Sequence, residues 1–195
     1  DKLIAELIHT IEVFFKGDAA NQPHYGKIIN EKQFDRIVSY LDNGNVVQGG
    51  QHNKAQLFIE PTIMDNIDID SPIMNEEIFG PVVTIWVYQD AEWSDMFEIV
   101  DKTSEYALTG AVLAQDRQAI TDATWALRNS AGNFYINDKP TGAVVGQQPF
   151  GGGRGSGTND KAGAKVNLLR WVSQRTIKET FVPPTDYRYP FLQAD

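Results

Sequence analysis

Three predicted strands separated by two predicted helices occupy residues 82–137, and this alternation constrains the fold more than any other feature. Residues 82–88 form a nearly continuous apolar run, residues 108–114 read LTGAVLA, and residues 132–137 read GNFYIN. The two segments between them carry apolar residues at helical spacing; in the second, Asp116 can cap a helix whose inward residues are Ile120, Ala123 and Leu127. Strands and helices that alternate at this pace indicate right-handed βαβ units. We therefore predict an α/β fold with an open, mostly parallel sheet and helices on both faces.

The flanking segments also carry secondary-structure signals. From residue 3 to 15, apolar residues recur at intervals of three and four residues, which predicts a helix that ends near Gly17. Asn30 can cap a second helix, with Gln33 reaching back to it in a capping box. Residues 57–63 predict a strand, and residues 162–172 predict a further helix.

Seven of the 16 glycines lie within residues 141–160, TGAVVGQQPFGGGRGSGTND. Glycine at such density indicates positive φ angles or close approach by a substrate or another backbone. The stretch follows the strand 132–136, and ligands gather at the carboxyl ends of parallel strands. Its apolar residues, including Phe150, do not suit a solvated linker. Because Thr158 stands where a P-loop needs lysine and no GxGxxG register fits, the stretch predicts a pocket rim rather than a phosphate cradle.

Composition excludes several function classes. A net charge of −9 and a pI near 4.8 argue against sequence-independent binding to nucleic acid. The sequence has neither a run of eighteen apolar residues nor a signal peptide, so we predict no membrane or secretory role. The absence of cysteine leaves the redox compartment undetermined.

No metal site is predicted. The three histidines share no ligand spacing, and no cysteine is present to complete a site. The acidic loop that contains Asp65, Asp68 and Asp70 lacks the register, the central glycine and the terminal glutamate of an EF-hand. We interpret this loop as a solvated turn.

Glu76 and Glu77 lie shortly before the apolar run 82–88. Paired carboxylates can perform acid–base chemistry, but adjacent residues do not generally face each other. We therefore favour one functional glutamate, with a charge pair at a helix end as the alternative.

Three motifs together resemble the catalytic half of the aldehyde dehydrogenase superfamily: EEIFGPV at residues 76–82, the GNFYIN strand, and PFGGGRGSGTND. Within it, residues 106–191 are most similar to the Δ1-pyrroline-5-carboxylate dehydrogenase family, through LTGAVLAQD, RNSAGNFYINDKPTGAVVGQQPFGG and LLRWVSQRTIKET. Residues 1–85 are at least as similar to the class-3, fatty-aldehyde type. A recombinant of two relatives would show the same pattern.

The resemblance implies NAD as cofactor and the oxidation of glutamate γ-semialdehyde to glutamate. It places Glu77 on the hydroxyls of the nicotinamide ribose and Phe79 against the nicotinamide. A loop at residues 139–145 would hold the substrate carboxylate through the main-chain amides of Gly142 and Ala143. Phe150 would line the aliphatic stem of the aldehyde.

The resemblance also implies that the catalytic residues are not in this chain. The nucleophilic cysteine, the general-base glutamate, the oxyanion-hole asparagine and the Rossmann domain of the superfamily lie upstream of the part that resembles this sequence, which has no cysteine. We therefore expect a catalytic-domain fragment that is inactive alone. The alternatives are a stand-alone or engineered unit for binding or assembly, and a class-3-like fragment.

The same resemblance implies the organisation and location of the chain. Residues 1–172 would form the catalytic-type domain. Residues 173–195 would form an oligomerisation strand, at 173–182, and a C-terminal arm, so we expect a homo-oligomer. The compartment would be the cytoplasm in a bacterium and the mitochondrial matrix in a eukaryote.

Overall fold

The structure is a computed structural model that describes residues 2–144 and 146–192. The α-helices are α1 (Lys2–Phe15), α2 (Glu31–Ser39), α3 (Pro72–Asn75), α4 (Trp93–Lys102) and α5 (Arg117–Ala126). The strands are β1 (Asn45–Gln48), β2 (His52–Asn53), β3 (Phe58–Ile59), β4 (Thr62–Asp65), β5 (Val82–Thr84), β6 (Tyr106–Ala107), β7 (Thr109–Val112), β8 (Asn133–Ile136) and β9 (Gly153–Arg154). The described residues also contain six 3₁₀ segments: Ala19–Asn21, Tyr40–Asn43, Lys54–Gln56, Asp90–Glu92, Lys165–Trp171 and Pro190–Leu192.

The sheets combine parallel and antiparallel pairs, so the fold is of the α/β type. β4 lies between β1, which is antiparallel to it, and β5, which is parallel. β7 and β8 form a second parallel pair. The chain passes through α3 between β4 and β5, and through α5 between β7 and β8. Because the two parallel pairs share no ladder among the described residues, a single open, mostly parallel sheet stays a prediction.

The main hydrophobic core lies between α2 and the β4–β5 pair. Phe34 and Ile37 of α2 are 3% and 0% exposed, and they cluster with Ile59, Met64 and Val82. As predicted, Asn30 caps α2, because its Oδ1 accepts a hydrogen bond from Gln33 N at 2.9 Å. The reciprocal half of the predicted capping box is wrong. The Gln33 side chain instead accepts a hydrogen bond from Arg36 Nε at 2.8 Å.

The other helices and strands predicted before residue 140 are present, and the strands are shorter than predicted. The first helix ends at Phe15, and Gly17 has φ +73°. The predicted strand 57–63 is divided between β3 and β4, because Pro61, between them, has no N–H to donate to a ladder. Residues 82–88 pair as a strand only through Thr84. None of the helices in the described part of the chain is both long and apolar enough to cross a lipid bilayer.

The C-terminal region differs most from expectation. The helix predicted at 162–172 forms only in part and not as an α-helix, because the structure has a 3₁₀ segment, Lys165–Trp171, with no buried residue. An α-helix gains most of its stability from a packed apolar face, and the large apolar side chains of this segment are exposed. Residues 173–182 are exposed and form no backbone hydrogen bond within the described residues. An edge strand needs a partner, so the oligomerisation strand stays a prediction.

Candidate functional site

A large cavity among the described residues has a volume of about 1040 Å³. It lies between the beginning of α2, the connection from α3 to β5, and the end of α4. Its lining includes both residues predicted to bind the cofactor, Glu77 and Phe79. The polar lining residues from the rest of the chain include Asn30, Gln33, Arg36, Lys102 and Glu105.

The connection from α3 to β5 makes a sharp turn that presents Phe79 to solvent. Phe79 has φ +52°, a left-handed conformation that is unfavourable for an aromatic residue, and its side chain is 84% exposed. A side chain on the next residue would crowd α2, because a Cβ on Gly80 would lie 2.7 Å from Cδ1 of the buried Ile37. The turn therefore packs directly onto α2.

Arg36 of α2 forms hydrogen bonds to this turn. Its Nη1 donates to the carbonyl oxygen of Glu77 at 3.0 Å, and its Nη2 donates to that of Ile78 at 2.7 Å. Nη1 also donates to the hydroxyl of Tyr40 at 2.7 Å. The turn is thus fixed to α2 through its backbone, while the side chains of Glu77 and Phe79 remain free to contact a ligand.

The two adjacent glutamates have different surroundings. The Tyr40 hydroxyl donates to Glu76 Oε2 at 2.5 Å, and burial together with this bond raises the pKa of Tyr40. The Glu77 carboxylate, by contrast, takes part in no hydrogen bond or ion pair with any described residue. This difference supports Glu77 as the single functional glutamate, although its role stays a prediction.

A second, smaller cavity connects the turn with the glycine-rich stretch. It has a volume of about 350 Å³ and is lined by Glu76 and Glu77 on one side and by Tyr106, Leu108 and Ser156 on the other. Ser156 belongs to the stretch 141–160. Glu77 and the glycine-rich stretch therefore line one cavity, whereas Phe79 does not line it.

The predicted substrate loop follows β8. Neither Gly142 N nor Ala143 N donates a hydrogen bond to any described residue, so both amides are available to an anion. Tyr135 of β8 donates its hydroxyl to the carbonyl oxygen of Thr141 at 3.0 Å, which fixes the beginning of the loop. Val145, within the predicted loop, lies outside the described residues.

Phe150 lies in a segment held from both sides. Its backbone exchanges two hydrogen bonds with Ala162, at 2.9 and 2.8 Å. The buried Asn133 donates to the carbonyl oxygen of Pro149 at 2.9 Å and accepts from Gly151 N at 3.1 Å. The position of Phe150 is therefore set by β8 and by the segment at residue 162.

The structure brings only part of the predicted site together. Glu77 and Phe79 share the large cavity, whereas Gly142, Ala143 and Phe150 do not line it. Sequence reasoning missed Arg36 and Asn133 as supporting residues. A signal existed for both: Arg36 on α2 and Tyr40 directly after it are an i,i+4 pair, and Asn133 is a polar residue in an apolar strand.

The charged groups of the described residues do not form a metal site. Within residues 2–144 and 146–192, no group of three or more His, Cys, Asp or Glu side chains could hold a metal ion.

Comparison with known proteins identifies the family. Residues 1–177 match the aldehyde dehydrogenase family. The chain is 49% identical over 176 residues to the mitochondrial Δ1-pyrroline-5-carboxylate dehydrogenase of Mus musculus, covering 87% of this chain and 31% of that protein. It is 51% identical over 172 residues to the mitochondrial enzyme of the same name from Dictyostelium discoideum, covering 85% and 31%.

A solved structure agrees with these relatives. The Δ-pyrroline-5-carboxylate dehydrogenase of Mycobacterium tuberculosis bound with NAD is 46% identical and superposes with a TM-score of 0.67, covering 87% of this chain and 32% of that one. This chain thus spans about a third of the length of the proteins that it matches. It belongs to the aldehyde dehydrogenase family.

Proposed function

We propose that this chain is the catalytic-domain part of an NAD-dependent dehydrogenase that oxidises L-glutamate γ-semialdehyde, the open form of Δ1-pyrroline-5-carboxylate, to glutamate in proline catabolism. The observation that carries the proposal is the turn at Glu77 and Phe79, whose side chains face a large cavity while its backbone is fixed to α2. The names of the relatives supply the substrate.

The residues of the cavity fit the nicotinamide end of NAD. An unpaired carboxylate can accept hydrogen bonds from two ribose hydroxyls, and Glu77 offers such a carboxylate. The exposed ring of Phe79 can pack against the nicotinamide and set its orientation. When bound, NAD supplies the hydride acceptor. The role of this chain is to fix the ribose and the ring plane relative to the aldehyde.

The glycine-rich stretch would hold the substrate. The free amides of Gly142 and Ala143 can donate to the substrate carboxylate without any side chain. Phe150, half-buried and held by Ala162 and Asn133, would contact the aliphatic stem. A loop that binds carboxylate through amides would favour the semialdehyde over aldehydes that lack this group, because the amides would otherwise remain unpaired in the closed site.

The remaining functional parts would come from outside these 195 residues. The relatives are about three times as long, and the proposed enzyme needs a nucleophile, a base and a domain for the adenosine half of NAD. We propose that residues 173–182 pair with a neighbouring subunit and that the parallel strands join into one open sheet in the whole protein. The enzyme would be cytoplasmic in a bacterium and mitochondrial in a eukaryote, as the names of the eukaryotic relatives suggest.

The test is to express the complete reading frame that encodes this chain and to follow NADH formation. Glutamate γ-semialdehyde and a medium-chain aliphatic aldehyde are compared at matched concentrations. We expect kcat/KM to favour the semialdehyde by about a hundredfold or more. A preference for the medium-chain aldehyde would favour the class-3 type instead. A complete reading frame without NAD-dependent turnover of either aldehyde would contradict the proposal and favour a role in binding or assembly.

A further inference from the structure

We infer that Arg36 is a positioning residue for the nicotinamide end of the cofactor site, acting through its hydrogen bonds to the backbone of Glu77 and Ile78. This inference rests on the proposed role of Glu77 and Phe79 in binding NAD. Arg36 itself need not contact the cofactor, because its effect would pass through the turn that carries those two side chains.

The first argument is how the guanidinium uses its donors. Four hydrogen bonds extend from Arg36: to the Gln33 side chain, to the Tyr40 hydroxyl, and to the carbonyl oxygens of Glu77 and Ile78. All four acceptors are uncharged, and Arg36 forms no ion pair with a described residue. A planar group with donors on all sides is suited to join a helix to two successive carbonyl groups.

The second argument is that the turn needs external support. Phe79 is in the left-handed region at φ +52°, and such a conformation persists only where the surroundings impose it. Phe79 N and Gly80 N donate no hydrogen bond within the described residues. The two carbonyl groups that Arg36 holds belong to the two residues directly before Phe79. The guanidinium therefore restrains the segment that precedes the strained residue.

The third argument is that the same network separates the two glutamates. Arg36 donates to the Tyr40 hydroxyl, which in turn donates to Glu76 Oε2. Glu76 is thereby held toward α2, and Glu77 is left for the cavity. A lysine in place of Arg36 has one nitrogen and cannot reach the Tyr40 hydroxyl and both carbonyl groups with good geometry.

The kinetic test uses the protein from the complete reading frame with Arg36→Met, Arg36→Lys and the control Arg128→Met. Arg128 donates to the carbonyl oxygen of Trp125 and lies outside the lining of the large cavity. We expect Arg36→Met to raise the KM for NAD about tenfold or more, with the KM for the aldehyde within about twofold of the original. Arg36→Lys should restore part of the loss, and Arg128→Met should change neither constant.

A second measurement, the rate of proteolysis, tests how firmly the turn is held and does not depend on enzyme turnover. Phe79 is exposed and lies before Gly80, so chymotrypsin can cleave there, and mass spectrometry gives the rate. We expect Arg36→Met to accelerate cleavage after Phe79 about tenfold, while cleavage after the exposed Phe191 stays constant. If the Arg36→Met variant does not fold, the KM for NAD and the cleavage rate are measured with Tyr40→Phe and Arg36→Lys, since each removes only part of the hydrogen-bond network. Unchanged cleavage and an unchanged KM for NAD in the folded variants would overturn the inference.

Glu77→Ala separates this inference from the proposed function. If Glu77→Ala leaves the KM for NAD unchanged, the proposed role of Glu77 is wrong. If Glu77→Ala raises this KM but the Arg36 variants do not, the proposed function stands and the positioning role of Arg36 is wrong.

Discussion

Gly132 passes so close to Gly151 that a Cβ on Gly132 would lie 2.0 Å from the carbonyl oxygen of Gly151. Gly132, directly before β8, and the glycine-rich stretch therefore meet backbone to backbone, with no space for a side chain on Gly132. The ammonium group of Lys161 donates to the carbonyl oxygens of both glycines, at 2.5 and 3.2 Å. The close approach of another backbone, predicted for the glycine-rich stretch, is confirmed at Gly152, where a Cβ would lie 2.8 Å from the carbonyl oxygen of Ala107.

We expect Gly132→Ala to lower the free energy of unfolding by about 2–4 kcal/mol, because the obstructing atoms are backbone and cannot rotate away. Gly153→Ala is a matched control, since a Cβ on Gly153 meets nothing within 4 Å and its φ is outside the left-handed region. The control should stay within about 0.5 kcal/mol of the original. Urea unfolding followed by circular dichroism measures both, and equal losses would refute the steric argument.

Asn133 is expected to be the most sensitive polar side chain in this region. It is 8% exposed, and its amide joins Pro149 and Gly151 on either side of Phe150. Asn133→Ala should lower the free energy of unfolding by about 1–3 kcal/mol, because Pro149 O and Gly151 N would lose their hydrogen bonds to this buried side chain. Asn21→Ala is the control, as Asn21 is exposed and, of the residues that the structure describes, its side chain bonds only to nearby Asp18. A loss no larger than that of the control would contradict this role.

The elements that the sequence predicted well are those whose signal is local. The Asn30 and Asp116 caps lie where expected, with hydrogen bonds to Gln33 N and Gln118 N. Spacing placed Ile120 and Ala123 on the buried face of α5, where they are 6% and 0% exposed. Each of these features depends on residues within about one helical turn, so the sequence contains the necessary information.

The features that the sequence did not predict depend on distant partners. Arg36 contacts a turn 41 residues away in the chain, and nothing in the pattern around Arg36 specifies that turn. Residues 165–171 have an apolar pattern that indicates a helix, yet no described element covers their apolar side chains. Local pattern identifies a potential helix, but packing decides whether it forms.

The pair of Asp101 and Arg154 is expected to make stability depend on pH. Ser130 donates a hydrogen bond to the Asp101 carboxylate, and Arg154 donates one to this carboxylate and one to the Asp101 carbonyl oxygen. The bonds from Ser130 and Arg154 to the carboxylate lower the pKa of Asp101. An aspartate in the unfolded chain has a pKa of about 3.9. The stabilisation is therefore complete above that pH, and it is lost as the pH falls through the lower pKa of Asp101 in the folded protein. Because the Asp101 side chain is 39% exposed, solvent screening limits the contribution.

We therefore expect Asp101→Asn to lower the free energy of unfolding by about 1 kcal/mol at pH 7. The difference from the original protein should stay constant down to about pH 5 and shrink below about pH 4. Glu98→Gln, which removes an exposed pair with Lys102 on the same helix, should have an effect near zero. A difference that grows as pH falls would show that the sign of the argument is wrong.

The last prediction is that the 195-residue polypeptide alone forms no measurable NADH from glutamate γ-semialdehyde. The proposed reaction requires a thiolate that attacks the aldehyde, and these 195 residues contain no cysteine. Loss of the nucleophile in a covalent enzyme lowers the rate by about 10⁴–10⁶. The large cavity is also predicted to contact only the nicotinamide end of NAD, so cofactor binding should be weak.

The assay compares the purified 195-residue chain with the protein from the complete reading frame at equal molar concentration. Both proteins are tested with the semialdehyde and with a medium-chain aldehyde, so that the class-3 resemblance is covered. We expect turnover from the complete protein and a signal at background from the isolated chain. Robust NADH formation by the isolated chain would require a nucleophile other than cysteine. Because none of its serines has an evident histidine partner in the sequence, such a result would refute the assignment of the chemistry to residues outside the chain.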